Sequence, residues 1–298
     1  LDAALDASGD APLGAPGASA LSLGPLRAHI AGWRRALTSG RGFLRIRGVP
    51  VARWGEARTG RFFWALGLAL GRPGAQNGDG DLLGHVRDLR EETGQRIRQY
   101  RTAEDICFHC DAADAVGLLC LQPAMVGGRS RIASSVAIFE TIVAEDPELA
   151  RAWFDPLWLD VRMDTGADAV RVRPGCFHAG RLRTFLHPEY FRTATEHAGI
   201  PALSPDQLRL LERVDALAND PAYHLEMDLQ RGDIQLCSNH TIVHARTAFE
   251  DGEAASERRH LLRLWLTLEG TGGVGERWLR LREAAPVAAS VLRRRVAL

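Results

Sequence analysis

The sequence predicts a mainly β protein, an antiparallel sandwich with flanking helices. Helical periodicity gathers toward the front of the chain, period-two alternation dominates its later half, and alternating βα units are few. A doubly wound parallel sheet would need such units throughout. With 298 residues, 46% of them hydrophobic, the chain is long enough to bury a sizeable core.

Residues 1–22 are Ala, Gly, Ser, Asp and Pro with scattered Leu and no sustained period, which predicts a poorly ordered leader. A single domain is expected over 23–298. It opens near Pro25 with Leu26, Ile30, Trp33 and Leu37 at helical spacing, stopped by Gly40. Phe43–Arg47 alternates as a strand, and 56–71 reads as a second helix ending in Gly71 before Pro73. From Cys107 to Ala133 strands are broken by the Gly127-Gly128 turn, after which Ser134-Ser135 offers N-caps for a helix. Ser204-Pro205-Asp206-Gln207 is a capping box with Pro at the first helical position, and Leu210, Val214 and Leu217 form its stripe. A half-buried strand with Leu225, Met227 and Leu229 inward follows, then a turn at Arg231-Gly232-Asp233 and strands at 234–236, 242–249 and 259–267. From about 276 a helical segment with Trp278 and Leu281 is expected to cover the sheet.

Lys+Arg and Asp+Glu are 37 each and every basic residue is Arg, so no net cationic footprint for nucleic acid is present. No apolar run approaches a membrane span, and no signal peptide is recognisable. Five scattered cysteines fit reduced thiols, so the expected compartment is the cytoplasm. The expected partner is a small-molecule substrate, with no nucleic acid and no membrane. Self-association is left open.

On a strand, His-x-Asp or His-x-Glu places two metal donors on one side. Chance gives roughly 1.2 such matches for this composition. The chain has three, at His109-Cys110-Asp111, His187-Pro188-Glu189 and His224-Leu225-Glu226. Pro188 disfavours strand pairing in the second. The third lies too near the later histidines for much sheet to intervene. The first leaves room for most of a sandwich before His244, which selects His109, Asp111 and His244. Cys107 and Cys110 form a C-x-x-C pair, but on a strand they face opposite sides, and no second such pair completes a four-sulfur zinc site. A zinc hydrolase using His109 with Cys107 or Cys110 is therefore a minor alternative.

In the last strand, Arg259, Leu261, Arg263 and Trp265 share one face, while His260, Leu262, Leu264 and Leu266 share the other. If the first face is enclosed, its two guanidiniums need anionic partners. A small dicarboxylate bound at the metal would supply one.

These residues resemble the taurine dioxygenase-like (TauD/TfdA) family of iron(II)- and 2-oxoglutarate-dependent dioxygenases. The resemblance runs from about Arg41 to Thr267 and is most specific at Phe108–Asp111, Leu118–Leu121 leading into Gly127–Ser130, Arg231–Ile234, Ile242–Phe249 and Arg258–Arg263. It implies a double-stranded β-helix, the cupin-like jelly roll, with Fe(II) held by His109, Asp111 and His244. Ser130, in place of the family's Thr, and Arg259 would bind the far carboxylate of 2-oxoglutarate. Arg263 matches a position that holds an anionic group of the substrate in several relatives. O₂ and 2-oxoglutarate are the implied cosubstrates. The implied reaction couples oxidative decarboxylation of 2-oxoglutarate to hydroxylation or desaturation of a small anionic or zwitterionic molecule, as in natural-product biosynthesis. Cys110 replaces the usual Thr, and Arg129 stands where many relatives carry an acid. Asn77, His85 and Asp105 are expected to border the mouth of the site, and Arg246 shares the face of His244. The competing class is a jelly-roll metal- or ligand-binding module without turnover.

Overall fold

The computed structural model describes Asp2, Leu5 and residues 22–77, 80–89, 99–161 and 169–268. The segment from about 276, expected to cover the sheet, lies outside these residues, as does most of the expected leader. Asp2 and Leu5 are packed, however. Leu5 is buried among the first helices, and Asp2 accepts from the indole of Trp54 at 2.7 Å and pairs with Arg53 and Arg58.

Helix α1 (Arg27–Thr38) is followed by β1 (Phe43–Ile46) and α2 (Val51–Leu70). Helix α2 begins five residues before the expected start. Its first turn is set off by Gly55, whose φ of 70° is open to glycine at little cost, so the regular helix starts at Glu56. Then come β2 (Arg72–Gly74), β3 (Gly84–Val86), β4 (Ile106–His109), β5 (Ala115–Gln122) and β6 (Ser130–Ser134). Helix α3 (Ser135–Glu145) is capped by the Ser134 hydroxyl, which accepts from the amide of Ala137. After peripheral hairpins and short helices comes α4 (Pro205–Asn219), followed by β7 (His224–Met227), β8 (Ile234–Ser238), β9 (Ile242–Arg246) and β10 (His260–Thr267).

These strands build two antiparallel sheets. The larger runs β1-β8-β5-β10-β2, with β3 also pairing β10, and the smaller runs β7-β6-β9-β4. Consecutive strands of the chain repeatedly fall in different sheets, which is the jelly-roll arrangement. Four layers result. The outer face of the larger sheet, with Leu262, Leu264 and Leu266, is covered by Phe63, Leu66 and Leu70 of α2. Gly67 permits this approach, since a Cβ there would meet Leu264 Cδ1 at 2.7 Å. Val243 and Ala245 of the smaller sheet face outward against Leu210, Leu211 and Val214 of α4. Between the sheets, Val116, Ile132, Cys237, Ile242 and Trp265 form a thin apolar layer. The functional cavity opens beside it.

The capping box at Ser204 forms as expected. The hydroxyl accepts from Gln207 N at 3.2 Å, and Gln207 Oε1 accepts from Ser204 N at 2.9 Å. Ser204→Ala is therefore expected to cost about 1 kcal/mol of stability, read by chemical denaturation, without touching the cavity. The strand at 224–227 departs from expectation because Leu225 is 53% exposed. As the edge of the smaller sheet, β7 reaches the rim, and its alternation does not bring every apolar side chain under cover. The Arg231-Gly232-Asp233 turn buries Asp233 against Arg45, which leaves its carboxylate closed to a partner protein.

Candidate metal centre between the sheets

His109 closes β4, and His244 lies directly opposite it on β9. The pairing slips between these residues and the Arg246–Ile106 pair, so β4 carries one extra residue beside the site, a bulge that re-aims side chains locally. Asp111 lies beyond the end of β4, so strand alternation does not set its position. Cys110 N donates to Leu186 O at 2.6 Å, Asp111 N donates to Asn239 Oδ1 at 3.1 Å, and Asn239 Nδ2 holds Ala113 O. The loop is thereby pinned to the β8–β9 turn.

The three side chains converge, each offering a ligand atom within 4.8 Å of the others. The His109 and His244 rings are 4.3 Å apart, and His244 Nε2 stands 3.5 Å from Asp111 Oδ2. His109 Nδ1 donates to Cys107 O at 2.8 Å, which fixes the tautomer and leaves Nε2 with its lone pair directed inward. Burial, reinforced by His244, pushes the His109 pKa down to about 4, so the ring is neutral near pH 7. Burial raises the Asp111 carboxyl, but Arg263 and the two histidines outweigh it and hold the group ionised, well below the usual carboxylate range. Asp111 Oδ2 and His244 Nδ1 are buried without hydrogen bonds. A neutral His109 ring, the His244 imidazole opposite it and an ionised carboxylate with an unsatisfied oxygen form a donor set that suits a divalent iron ion.

Arg263 lies between the rings of Tyr100 and Trp265, at 4.5 and 5.0 Å. Its Nε donates to Gln76 Oε1 at 2.7 Å, and its Nη1 is 3.6 Å from Asp111 Oδ1. Arg259 is 4% exposed, its Nη1 makes no hydrogen bond, and burial lowers its pKa to about 10, so it remains a cation. Gly128 makes room for it, since a Cβ there would stand 3.0 Å from Arg259 Nε. Phe249 carries Arg259 at 5.2 Å and Arg246 at 4.7 Å. Arg246 hydrogen-bonds the carbonyls of Thr102 and Glu104. Ser130 lines the same cavity and donates to Gln235 Oε1 at 2.6 Å.

Of the sequence-derived site residues, His109, Asp111, His244, Ser130, Arg259 and Arg263 line one cavity. Asn77 and Asp105 lie outside its lining. The Asn77 side chain binds Asp81, and Asp105 pairs with Arg131 at 3.0 Å, so each polar group is used locally. His85 faces His260 at 2.8 Å, on β3 at the sheet edge and also outside the cavity. Arg129 pairs outward with Glu226. The Cys110 thiol is buried toward Ile242 O and pushed up to about 12 by burial, and Cys107 is pushed up to about 11. Neutral thiols are poor zinc ligands, and among the described residues no candidate metal group contains a cysteine. Sequence reasoning missed Gln76, Tyr100 and His187 as lining residues. His187 was visible only as the clip discounted for Pro188. That proline starts the short helix Pro188–Thr193, and His187 lies 4.9 Å from His109.

Two imidazoles and a carboxylate between the sheets of a jelly roll, with buried arginines beside them, are a donor set of the kind non-haem iron oxygenases use. The chain matches the family model described as taurine catabolism dioxygenase TauD, TfdA family, over residues 6–265, and it belongs to that family. It is an iron(II)- and 2-oxoglutarate-dependent dioxygenase, which replaces the reading of a module without turnover. FR-33289 synthase of Streptomyces rubellomurinus is 34% identical over 78% of this chain and 71% of its own length. The taurine hydroxylase-like protein SAT17 of Stachybotrys chartarum is 28% identical over 75% of this chain and 60% of its own. Asparagine oxygenase superposes with a TM-score of 0.71 at 19% identity, over 89% of this chain and 87% of that one. The non-haem iron oxygenase OrfP, solved with Fe and alpha-ketoglutaric acid, gives 0.60 at 15% identity, over 84% and 82%. Among the described residues no helix is long and apolar enough to cross a membrane.

Proposed function

We propose that His109, Asp111 and His244 hold the iron, that Arg259 and Ser130 bind the far carboxylate of 2-oxoglutarate, and that the enzyme hydroxylates a small anionic or zwitterionic molecule. The observation that carries this reading is a metal-suited triad and a buried, unsatisfied guanidinium on the wall of one cavity. Bound iron would supply the chemistry by which O₂ acts as the oxidant, two electrons coming from 2-oxoglutarate as it becomes succinate and CO₂ and two from the substrate C–H bond, with one oxygen atom entering succinate and the other the hydroxylated product. The protein positions the reactants. Cys107 O orients His109, and the Asn239 amide holds the Asp111 loop. Arg259 brings a charge whose burial is costly until an anion meets it. The Ser130 hydroxyl can turn from Gln235 to that anion. Arg263, held against Asp111 and Gln76, adds positive charge for an acidic group of the substrate. Leu118, Leu261 and Trp265 keep water from the reacting carbon.

The names of solved relatives favour a small zwitterion, because asparagine oxygenase was captured with 3-hydroxyasparagine and succinate, and OrfP with a 3-hydroxyarginine. A natural-product setting draws support from the synthase relative. The test is anaerobic addition of Fe(II) and 2-oxoglutarate to metal-free protein. A weak visible charge-transfer band is expected, lost in His244→Ala. Folded protein that binds iron yet gives no band would overturn the assignment of this cavity.

A further inference from the structure

On the opposite face of the larger sheet, away from the cavity, a second group of metal-binding side chains converges. Glu56 opens the regular part of α2, His85 lies on β3, and His260 is the first residue of β10. Their ligand atoms all lie within 4.8 Å of one another. His85 Nδ1 is 2.8 Å from His260 Nε2. Glu56 Oε1 is 3.8 Å from His85 Nδ1, and Glu56 Oε2 is 3.8 Å from His260 Nδ1. Nitrogen and oxygen donors about 2 Å from a tetrahedral ion stand roughly 3.3 Å apart; the 3.8 Å from Glu56 Oε1 to His85 Nδ1 is near that spacing, and one donor atom from each of the three residues lies within 4.8 Å of the others.

The register explains why this group is separate from the iron site. His85 pairs with Leu262, whose side chain faces α2, whereas Val86 pairs with Leu261, which faces the cavity. Helix α2 crosses at this point, with Leu83 and Leu262 both within 4 Å of where a Gly60 Cβ would lie. We infer that Glu56, His85 and His260 form a second metal site, taking a divalent transition ion of the zinc class and leaving one position to water. Two imidazoles and one carboxylate favour Zn²⁺ over Ca²⁺ or Mg²⁺, which prefer all-oxygen shells. A metal there clips α2 to two strands, one of which begins beside Arg259.

The experiment is equilibrium dialysis of the metal-free full chain against Zn²⁺. About two equivalents are expected to bind wild-type protein, about one His85→Ala, about one His244→Ala, and almost none the double variant. Glu56→Gln, a change at an exposed carboxylate, serves as the second probe and should also lose one. Zn²⁺ is further expected to raise the Tm of His244→Ala but not of the double variant. If neither His85→Ala nor Glu56→Gln lowers the stoichiometry in either background, the second site does not exist. Failure of the iron-site assignment would look different, since His244→Ala would then bind as much as wild type while His85→Ala still lost one.

Discussion

Asp111→Asn is expected to abolish turnover, lowering succinate formation by about a thousandfold or more, the loss of several kcal/mol of metal-centred stabilisation. The substitution keeps the shape of the side chain and removes its charge. Asp111 is buried, its Oδ2 has no hydrogen bond, and its ionised form is sustained by Arg263 and the two histidines. An amide there leaves Fe(II) with two neutral imidazoles, and leaves Arg263 without its carboxylate 3.6 Å away. Because the loop is held by backbone contacts to Asn239, the fold should persist, as far-UV circular dichroism would show. Anaerobic titration should then find Fe(II) affinity sharply reduced. Retention of iron binding and turnover to within a few fold would remove Asp111 from the metal centre.

Local rules made much of this architecture legible. The alternation of β10 separates its faces as the sequence implies, with Arg259, Leu261, Arg263 and Trp265 on the cavity and Leu262, Leu264 and Leu266 under α2. The capping box of α4 and the N-cap of α3 are equally local, and both form. The spacing of His109 and Asp111 picked out two side chains that do converge with His244, but for an incomplete reason. Asp111 is placed by a loop pinned across the molecule to Asn239, and no period within the segment encodes that bond. Loop positions were least legible. Asn77 and Asp105 find partners in Asp81 and Arg131, choices that depend on the path of the chain in space. The packing of Leu5 and Asp2 against α2 was hidden too, because one apolar and one acidic residue in a low-complexity stretch carry no periodicity.

The second large effect is expected at Arg259, where replacement by Ala should raise the apparent KM for 2-oxoglutarate by about 10- to 100-fold, the worth of a charge-assisted hydrogen bond. The electrostatic arrangement around this arginine is unfinished. Its backbone N–H is fixed by Asp251 Oδ1 at 2.7 Å, its guanidinium rests on Phe249, and Arg246 on the same ring adds a second buried positive charge. Burial depresses both guanidinium pKa values without discharging them at neutral pH. Its Nη1 makes no hydrogen bond and is open to an anion in the cavity. Removing a buried, unsatisfied cation should therefore leave the Tm of the ligand-free protein unchanged or slightly raised, while the rise in Tm on adding 2-oxoglutarate disappears. Fe(II) affinity without 2-oxoglutarate should stay at the wild-type value, because Arg259 is not a ligand. A merely structural role predicts the reverse, a lower Tm with an unaltered KM, so the two measurements together decide whether the positive charge held on Phe249 serves the cosubstrate or the fold.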